Sequence, residues 1–315
     1  MAGIIFAMQK IVVGEEMNTE QEKILRAAIL SIPGIGSRRL CHILACFGSA
    51  TAAWAASCSK EKRANLPSWI NTFFQAKDKI DPEKIKKKLK ALGIALVIPE
   101  EDNYPVLLAE CSDAPPLLYY KGQLLPRQEG LAIVGTRRAS AYGKAAAAFL
   151  AREIVEMGYV VVSGLATGID TAAHQGALKA KGTTWAFLAG GLDSIYPPEN
   201  FDLAKKIIEN KGALISECPV GKPVKAGNFP IRNRLISGCS RGVIIVEAAR
   251  KSGSLITADF ALEQGREVFA VPGPIFNKES EGTHHLIKIG AKLVTGKEDI
   301  LSELPPPGNP KAMIN

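Results

Sequence analysis

The alternation of short apolar runs with helical patterns after Gly130 constrains the fold more than any other feature. The apolar runs have the length of strands and are predominantly hydrophobic: 131–134, 159–162, 183–188, 213–216, 243–246 and 267–271. Helical patterns follow most of them, beginning with one from Ser140 through Met157 that Gly158 closes. Strands that are apolar on both faces are typical of parallel sheets covered by helices. This part of the chain is therefore predicted to be α/β, with a doubly wound, mostly parallel sheet.

The pattern divides the chain into four predicted segments. The length of 315 residues suits about two domains of roughly 150 residues each. We expect an N-terminal extension over 1–17, a small helical domain over 18–92 and the α/β domain over 93–304. Residues 305–315 are proline-rich and polar without periodicity, so we expect a disordered tail there.

The helical domain contains a segment typical of a helix-hairpin-helix. Two helical patterns, one ending at Leu30 and one over 37–47, flank the sequence IPGIG at 32–36. Gly34 and Gly36 would let backbone amides approach a DNA phosphate, which makes this hairpin a candidate auxiliary DNA contact. Alternatively, Pro33 and Gly34 only turn the chain between two core helices.

The charge of the chain favours a polyanionic partner without identifying one. The net charge is +8, and a lysine-rich stretch runs from Lys77 to Lys90. Such a stretch is usually a solvated helix face, and an auxiliary DNA contact is the alternative. Hydrophobic residues make up 47% of the chain and charged residues 22%, which excludes a disordered protein.

Small residues follow several of the predicted strands and would meet at the carboxyl edge of the sheet. The loops concerned are Gly135-Thr136-Arg137, Ser163-Gly164 with Gly168, Gly190-Gly191, and Ser252-Gly253-Ser254. Glycine removes the Cβ that would keep a phosphate away, and helix starts supply free amides. We therefore predict a site for a phosphate-bearing ligand, with ordinary turn chemistry as the alternative.

Familiar cofactor and catalytic signatures do not occur in this sequence. The stretch from Gly135 to Gly143 does not fit GxGxxG, Gly143-Lys144 is not a Walker loop, and neither HExxH nor GxSxG is found. We expect Asp170 to cap a helix and His174 to hydrogen-bond to it, a structural pair. The six cysteines lack zinc spacing, so we expect free thiols and no metal. Because the nucleotide fingerprints are also missing, we expect no cofactor.

The segment KPVKAGNFPIRNR at 222–234 carries the strongest binding signal. It surrounds Phe229 with polar and basic side chains: Lys222, Lys225, Arg232, Asn233 and Arg234. Cations neutralise phosphates while an aromatic ring stacks on an unpaired base, so the segment suits a single strand. The alternative is that Phe229 fills the core and Arg232 pairs with Glu217 or Glu247.

Six motifs resemble the DprA/Smf family of DNA-processing proteins, in order over about 131–294. They are AIVGTRRASAYG, VVSGLATGIDTAAHQGAL, GGLDSIYPPEN, FPIRNRLISG, VIIVEAARKSGSLITADFALEQGREVFAVPG and GTHHLIKIGA. The N-terminal helical region also resembles that family's small helical, SAM-like domain. Thr167 and His284 depart from the family pattern, since many relatives have a basic residue and an asparagine there.

The resemblance implies an extended Rossmann-like domain that binds single-stranded DNA without being an enzyme. It also implies a homodimer that protects incoming strands and loads RecA during natural transformation, with the single-strand DNA-binding protein as a further partner. By position, the loop 135–137 would hold backbone phosphates, the segment 222–234 would line a DNA groove, and Ser163, Gly164, Gly190 and Gly191 would shape the pocket.

Two other functions compete with this one. The pocket also resembles Rossmann-like phosphoribohydrolases, with Glu247 near the loop 252–254, which would make the chain a small-nucleotide-binding or nucleotide-hydrolysing enzyme. Those enzymes use a PGGxGT loop, whereas Lys251–Leu255 reads KSGSL here. Alternatively, dimerisation and protein contact are the main activity.

The apolar stretches are too short to span a membrane and no targeting segment is recognisable, so we expect a cytoplasmic protein.

Overall fold

The computed structural model describes residues 18–57 and 67–307, which form two compact units. The first unit comprises the described residues up to Pro99 together with Pro115–Tyr119, and the second comprises Glu100–Ala114 and the described residues from Tyr120. The predicted extension over 1–17 and the last eight residues of the predicted tail lie outside the described residues.

The first unit is built mainly from helices. These are α1 (Thr19–Leu30), α2 (Ser37–Phe47), α3 (Ala50–Ala55), α4 (Ser68–Ala76) and α5 (Pro82–Ala91), followed by strand β1 (Ala95–Val97). The turn between α1 and α2 places Gly34 at φ +83°, a left-handed conformation that favours glycine. The helices predicted on either side of this hairpin are therefore confirmed, and the turn itself requires Gly34.

A buried carboxylate joins two helices of this unit. Glu22 of α1 accepts hydrogen bonds from the amides of Ala50 (2.8 Å) and Thr51 (2.9 Å) and from Arg26 Nε (2.9 Å). Burial alone would raise the pKa of Glu22. The hydrogen bonds from the two amides and the charge of the Arg26 guanidinium lower it by more, so the pKa lies below its usual value. A charged glutamate thus fixes the start of α3 against α1.

The second unit alternates strands and helices. The strands are β2 (Leu118–Gly122, with Tyr120–Gly122 in this unit), β3 (Gly130–Val134), β4 (Val160–Ser163), β5 (Thr184–Phe187), β6 (Ala213–Ser216), β7 (Ser240–Ile245), β8 (Glu267–Ala270) and β9 (Lys292–Leu293). The helices are α6 (Val106–Ala109), α7 (Ala141–Glu156), α8 (Ile169–Lys179), α9 (Phe201–Glu209), α10 (Asn228–Gly238), α11 (Gly253–Glu263), α12 (Glu281–Lys288) and α13 (Lys297–Leu301).

The strands form the predicted parallel sheet, in the order β6-β5-β4-β3-β7-β8-β9. Every neighbouring pair in this series runs parallel, and Ala132 of β3 lies in register with Val162 of β4 and Val243 of β7. Because the chain winds outward from β3 in both directions, the loops after β3, β4 and β7 surround the topological switch point. The doubly wound α/β class is confirmed.

Helices cover the central strands. Helices α7 and α8 pack on each other and on β3 and β4, burying Leu131, Ile133 and Val161 in one cluster. Helices α10 and α11 pack on each other and on β7. Strand β7 begins three residues earlier than the apolar run indicated. Its first residue, Ser240, is buried although it is polar, because its hydroxyl donates a hydrogen bond to the carbonyl of Ile236 (2.8 Å).

The predicted tail begins as part of the second unit. The Tyr159 hydroxyl donates to the carbonyl of Pro305, and Leu304 is buried with Tyr159 in the core cluster. The chain is therefore held against β4 up to the first residue of the predicted tail. The boundaries of the four predicted segments stay predictions.

Candidate nucleic-acid interface

Two neighbouring cavities of about 260 Å³ each open at the switch point of the sheet, and we call them the switch-point cavities. Both are lined by Arg137, Phe229 and Arg232. The other predicted site residues in their walls are Gly164 and Gly190 in the first, and Gly135, Thr136, Asn233, Ser252, Gly253 and Ser254 in the second. Loops that are distant in the sequence thus converge at the carboxyl edge, as predicted.

An aromatic and cationic cluster stands between the two cavities. The Arg137 guanidinium carbon lies 4.7 Å from the centre of the Phe229 ring, and the Tyr196 ring lies 5.9 Å from it at an angle of 55°. Phe229 is half-buried rather than enclosed in the core, and Arg137 is exposed. A solvent-accessible ring beside a free cation can stack on a base while the cation meets a phosphate.

Tyr196 belongs to the same site, although it is not among the residues predicted from the sequence. Its side chain is 45% exposed and lines the first cavity. The signal available in the sequence was its place in GGLDSIYPPEN, within the loop that follows β5. Its position beside Phe229 depends on the path of that loop, which no local pattern shows.

Arg232 lines both cavities but is almost entirely buried, and its guanidinium joins the ends of two strands. It is 6% exposed, and its Nη1 donates to the carbonyls of Gly164 and Phe187, at the ends of β4 and β5. The alternative, in which Arg232 pairs with Glu217 or Glu247, is wrong, because Arg234 binds Glu217 and Ser140 binds Glu247. Burial lowers the pKa of Arg232 to about 10, and the nearby carboxylate of Asp170 opposes that shift.

The other cations of the segment 222–234 have different surroundings. Lys222 and Lys225 are exposed and form no ion pair within the described part of the chain, and neither lines the cavities. Arg234 is bound to Glu217 (2.6 Å) and Asp113 (3.4 Å), so two carboxylates neutralise it. The structure therefore brings Phe229, Arg232 and Asn233 together and directs Arg234 elsewhere.

Asp170 and His174 belong to separate hydrogen-bond networks. Asp170 accepts from the amides of Gly164 (3.1 Å) and Ala166 (3.3 Å), which fixes the loop after β4. Complete burial raises its pKa although Arg232 and these amides lower it. His174 Nδ1 lies 2.7 Å from Thr184 Oγ1, so the predicted bond to Asp170 is wrong. The predicted cap is wrong as well, because Gly168 stands at the N-cap position of α8 and no side chain in the described part of the protein caps this helix.

The protonation state of His174 follows from its partner. The Thr184 hydroxyl uses its proton on the carbonyl of Val161 (2.7 Å), so Nδ1 of His174 must be the donor and Nε2 the bare nitrogen. Nε2 is buried and has no hydrogen-bond partner among the described residues, and burial lowers the pKa of His174 to about 3. The ring is a neutral core residue that tethers α8 to β5.

Glycine serves the loops mainly by letting protein atoms approach one another. A Cβ on Gly164 would lie 2.7 Å from the Arg232 guanidinium, and one on Gly168, at φ +82°, would lie 2.4 Å from the carbonyl oxygen of Thr136. The expected clearance for a phosphate is therefore not the reason for glycine at these two positions. Gly253, by contrast, has open space where a Cβ would stand.

Hydrogen bonds fix the remaining predicted residues of the second unit. The Ser163 hydroxyl donates to the carbonyl of Ile133 (2.6 Å) and is fully buried, and the Gly191 amide donates to the carbonyl of Lys222 (3.1 Å). Ser252 caps α11 by accepting from the Ser254 amide (3.4 Å). Gly34 and Gly36 lie in the first unit, at the hairpin between α1 and α2.

Glu247 is engaged in structure rather than in the cavities. It is 2% exposed, and its carboxylate accepts from both the amide (2.9 Å) and the hydroxyl of Ser140 at the start of α7.

Residues 18–57 and 67–307 contain no group of three His, Cys, Asp or Glu side chains placed to hold a metal ion. Nor does any helix in those ranges have the length and hydropathy needed to cross a membrane. Five cysteines there are free thiols, and Cys58 lies outside them.

The parallel sheet and its switch-point cavities define an extended Rossmann-like α/β protein. The sequence matches the family described as DNA recombination-mediator protein A over residues 95–305. The chain belongs to this family, which confirms the resemblance to DprA/Smf proteins.

Relatives of known name agree with this assignment. The chain is 47% identical over 215 residues to DNA processing protein DprA of Bacillus subtilis, which covers 68% of this chain and 72% of that protein. It is 48% identical over 210 residues to protein Smf of Escherichia coli, covering 66% of this chain and 56% of that one. The match thus spans little more than half of the second relative.

Solved structures show the same fold. The crystal structure of DNA processing protein A from Streptococcus pneumoniae superposes with a TM-score of 0.77 at 35% identity, covering 92% of this chain and 99% of that one. DNA processing protein A from Helicobacter pylori, whose structure concerns its single-stranded DNA binding mode, gives a TM-score of 0.59 at 32% identity, covering 66% and 94%.

Proposed function

We propose that this chain binds single-stranded DNA at the switch-point cavities and acts as a recombination mediator. The observation that carries the proposal is the exposed Arg137 guanidinium 4.7 Å from the half-buried Phe229 ring, where the loops of the sheet converge. A cation beside an accessible ring matches a strand whose bases are unpaired and whose backbone is charged. The single-stranded DNA bound by the Helicobacter pylori relative supports the same ligand class.

We also propose that the chain binds DNA and transfers it to another protein without catalysing a reaction on it. Glu247, the one candidate acid or base named for a nucleotide-hydrolysing enzyme, is held by Ser140 and lies outside the cavity walls. We further propose a homodimer that protects incoming strands in the cytoplasm, receives them beside the single-strand DNA-binding protein and loads RecA onto them. Membership of the DNA recombination-mediator protein A family supports RecA and the single-strand DNA-binding protein as partners.

The first experiment measures fluorescence anisotropy of a labelled poly-dT strand across a salt series, with an unlabelled duplex as competitor. We expect tight, salt-dependent binding that the duplex does not displace from the cavities. Arg137→Ala should weaken binding and reduce the salt slope by up to about 0.7, the value for one phosphate contact on a single strand. Arg234→Ala is the matched control, because carboxylates already neutralise that guanidinium.

Two outcomes would count against the proposal. Absence of poly-dT binding at low salt would show that single-stranded DNA is not the ligand. An unchanged affinity and salt slope in Arg137→Ala would show that the strand does not bind at the cavities. RecA loading has its own assay, the rate of RecA filament growth on strands covered by single-strand DNA-binding protein. We expect the chain to raise that rate and Arg137→Ala to reduce the effect.

A further inference from the structure

The net positive charge of the chain lies in residues 18–99. These residues contain 14 Lys and Arg against six Asp and Glu, which equals the whole net charge of +8. Residues 100–315, which include the switch-point cavities, contain 24 against 23 and are nearly neutral. The long-range attraction for a polyanion therefore comes from the helical first unit.

Helix α5 concentrates that charge on one element. Its lysines Lys84, Lys86, Lys87, Lys88 and Lys90 are all exposed, while Leu89 is buried and Ile85 half-buried on the opposite side. None of the five forms an ion pair within the described ranges 18–57 and 67–307. The acidic residues nearby are Asp78, Asp81 and Glu83, all before or within the first turn, and Asp81 is occupied in capping the helix.

Stability does not account for this arrangement. Lys84 with Lys88 and Lys86 with Lys90 are i,i+4 pairs of like charge, which destabilise an isolated helix. Only Lys88 and Lys90, in the last turn, gain from the helix dipole. The helix is already anchored by Leu89 and by its Asp81 cap, so the other lysines add charge at a cost to the fold.

We propose that the lysine face of α5, Lys84 to Lys90, binds the phosphate backbone of duplex DNA as a second nucleic-acid surface. The sequence of α5 contains no aromatic residue, so this face cannot stack on unpaired bases and can recognise only charge. Duplex DNA presents about one phosphate per 1.7 Å of its axis, the densest such charge available to a helix about 15 Å long. The proposal does not rest on the function of the cavities.

The test compares two variants with the same change of charge. K86Q/K87Q/K88Q/K90Q alters the lysine face, and K179Q/K205Q/K206Q/K288Q removes four exposed lysines of the second unit that line neither cavity. The readout is anisotropy of a labelled blunt-ended duplex over a salt series. Each lost phosphate contact reduces the salt slope by about 0.9, so four contacts would shrink the affinity drop between about 50 and 200 mM salt by about a hundredfold.

The expected result is a loss in the first variant and wild-type behaviour in the second. An unchanged slope in the α5 variant, or an equal loss in the control, would overturn the proposal. So would lysine-dependent binding to phosphatidylserine vesicles without duplex binding, which would make the surface a membrane contact. Arg137→Ala separates the two proposals, because it should weaken poly-dT binding and leave duplex binding intact.

Discussion

At the residue scale, Phe229 is the side chain whose role is best defined by its neighbours. Its ring is accessible, contacts Arg137 on one side and Tyr196 on another, and lines both cavities. A ring placed this way contributes binding energy by stacking, whereas a ring in the core would contribute stability.

Phe229→Ala should weaken binding to poly-dT by about 1 to 3 kcal/mol, the usual value of one stacked base. Phe201→Ala is the matched control, because that ring is also exposed and also lies against a cation, with Lys205 Nζ 4.4 Å from its centre, but lines neither cavity. Anisotropy titrations of the two variants decide the matter. Equal losses would show that Phe229 has no special contact with the strand.

His174 predicts a pH dependence of stability. Burial lowers its folded-state pKa to about 3, whereas an unfolded chain titrates near 6.5. The unfolded state therefore takes up the proton first, so stability is complete above about pH 6.5 and falls as the pH drops toward 3, by about 1.4 kcal/mol per pH unit.

His174→Asn should flatten this part of the pH profile, since asparagine can donate to Thr184 but does not titrate. The measurement is the free energy of unfolding in urea at several values between about pH 4 and 7. His285→Asn, at an exposed position, serves as control and should keep the wild-type slope. A wild-type slope in His174→Asn would mean that the ring is not the linked group.

At the element scale, the strands and helices of the second unit follow the sequence closely. The helix predicted from Ser140 through Met157 is α7, Ala141–Glu156, with Ser140 as its cap. Periodicity and capping are local properties, so they can be read without knowing the fold. The contacts that the cap makes beyond its own helix could not be read in this way.

The start of α7 depends on a residue from the other side of the switch point. The Ser140 hydroxyl accepts from the Gly143 amide (3.0 Å) and donates to Glu247, which follows β7. Ser140→Ala would remove the cap and leave a buried carboxylate oxygen short of a donor, so we expect a loss of about 2 kcal/mol.

Urea unfolding of Ser140→Ala and Ser252→Ala provides the comparison. Ser252 also caps a helix, but through a longer bond of 3.4 Å and without a buried carboxylate, so its loss should be about 0.5 to 1 kcal/mol. If both variants lost the same amount, the bond to Glu247 would contribute little to stability.

At the scale of the whole molecule, strand β9 ends the sheet with exposed apolar residues beside it. Leu293 is in β9, and Ile289, just before it, is 61% exposed. Within the described residues no further strand pairs with β9, and an edge strand with exposed apolar neighbours is a surface that proteins usually protect. We predict that the proposed homodimer uses this edge.

I289D/L293D should convert the proposed homodimer to monomers in sedimentation velocity experiments. Burying two unpaired carboxylates would weaken association by at least about 3 kcal/mol. Phe276→Asp tests a loop residue that is 95% exposed and should leave the dimer intact. Dissociation by Phe276→Asp alone would place the interface elsewhere.

The sequence by itself determined the class of sheet, the order of its strands along the chain, the convergence of the glycine loops and the family. These follow from local apolarity, periodicity and motifs, because each reflects a few neighbouring residues. Charge counted along the chain likewise assigns the net +8 to residues 18–99.

Only the tertiary structure decided which cations are free to meet a ligand. Arg232 is enclosed by a carbonyl 68 residues away, Arg234 is paired with Glu217 and Asp113, and Arg137 alone of the three is exposed beside Phe229. It also brought Tyr196 to the cavity and bound Glu247 to Ser140. The physical reason is that burial and pairing depend on partners distant in the sequence, which no local pattern contains.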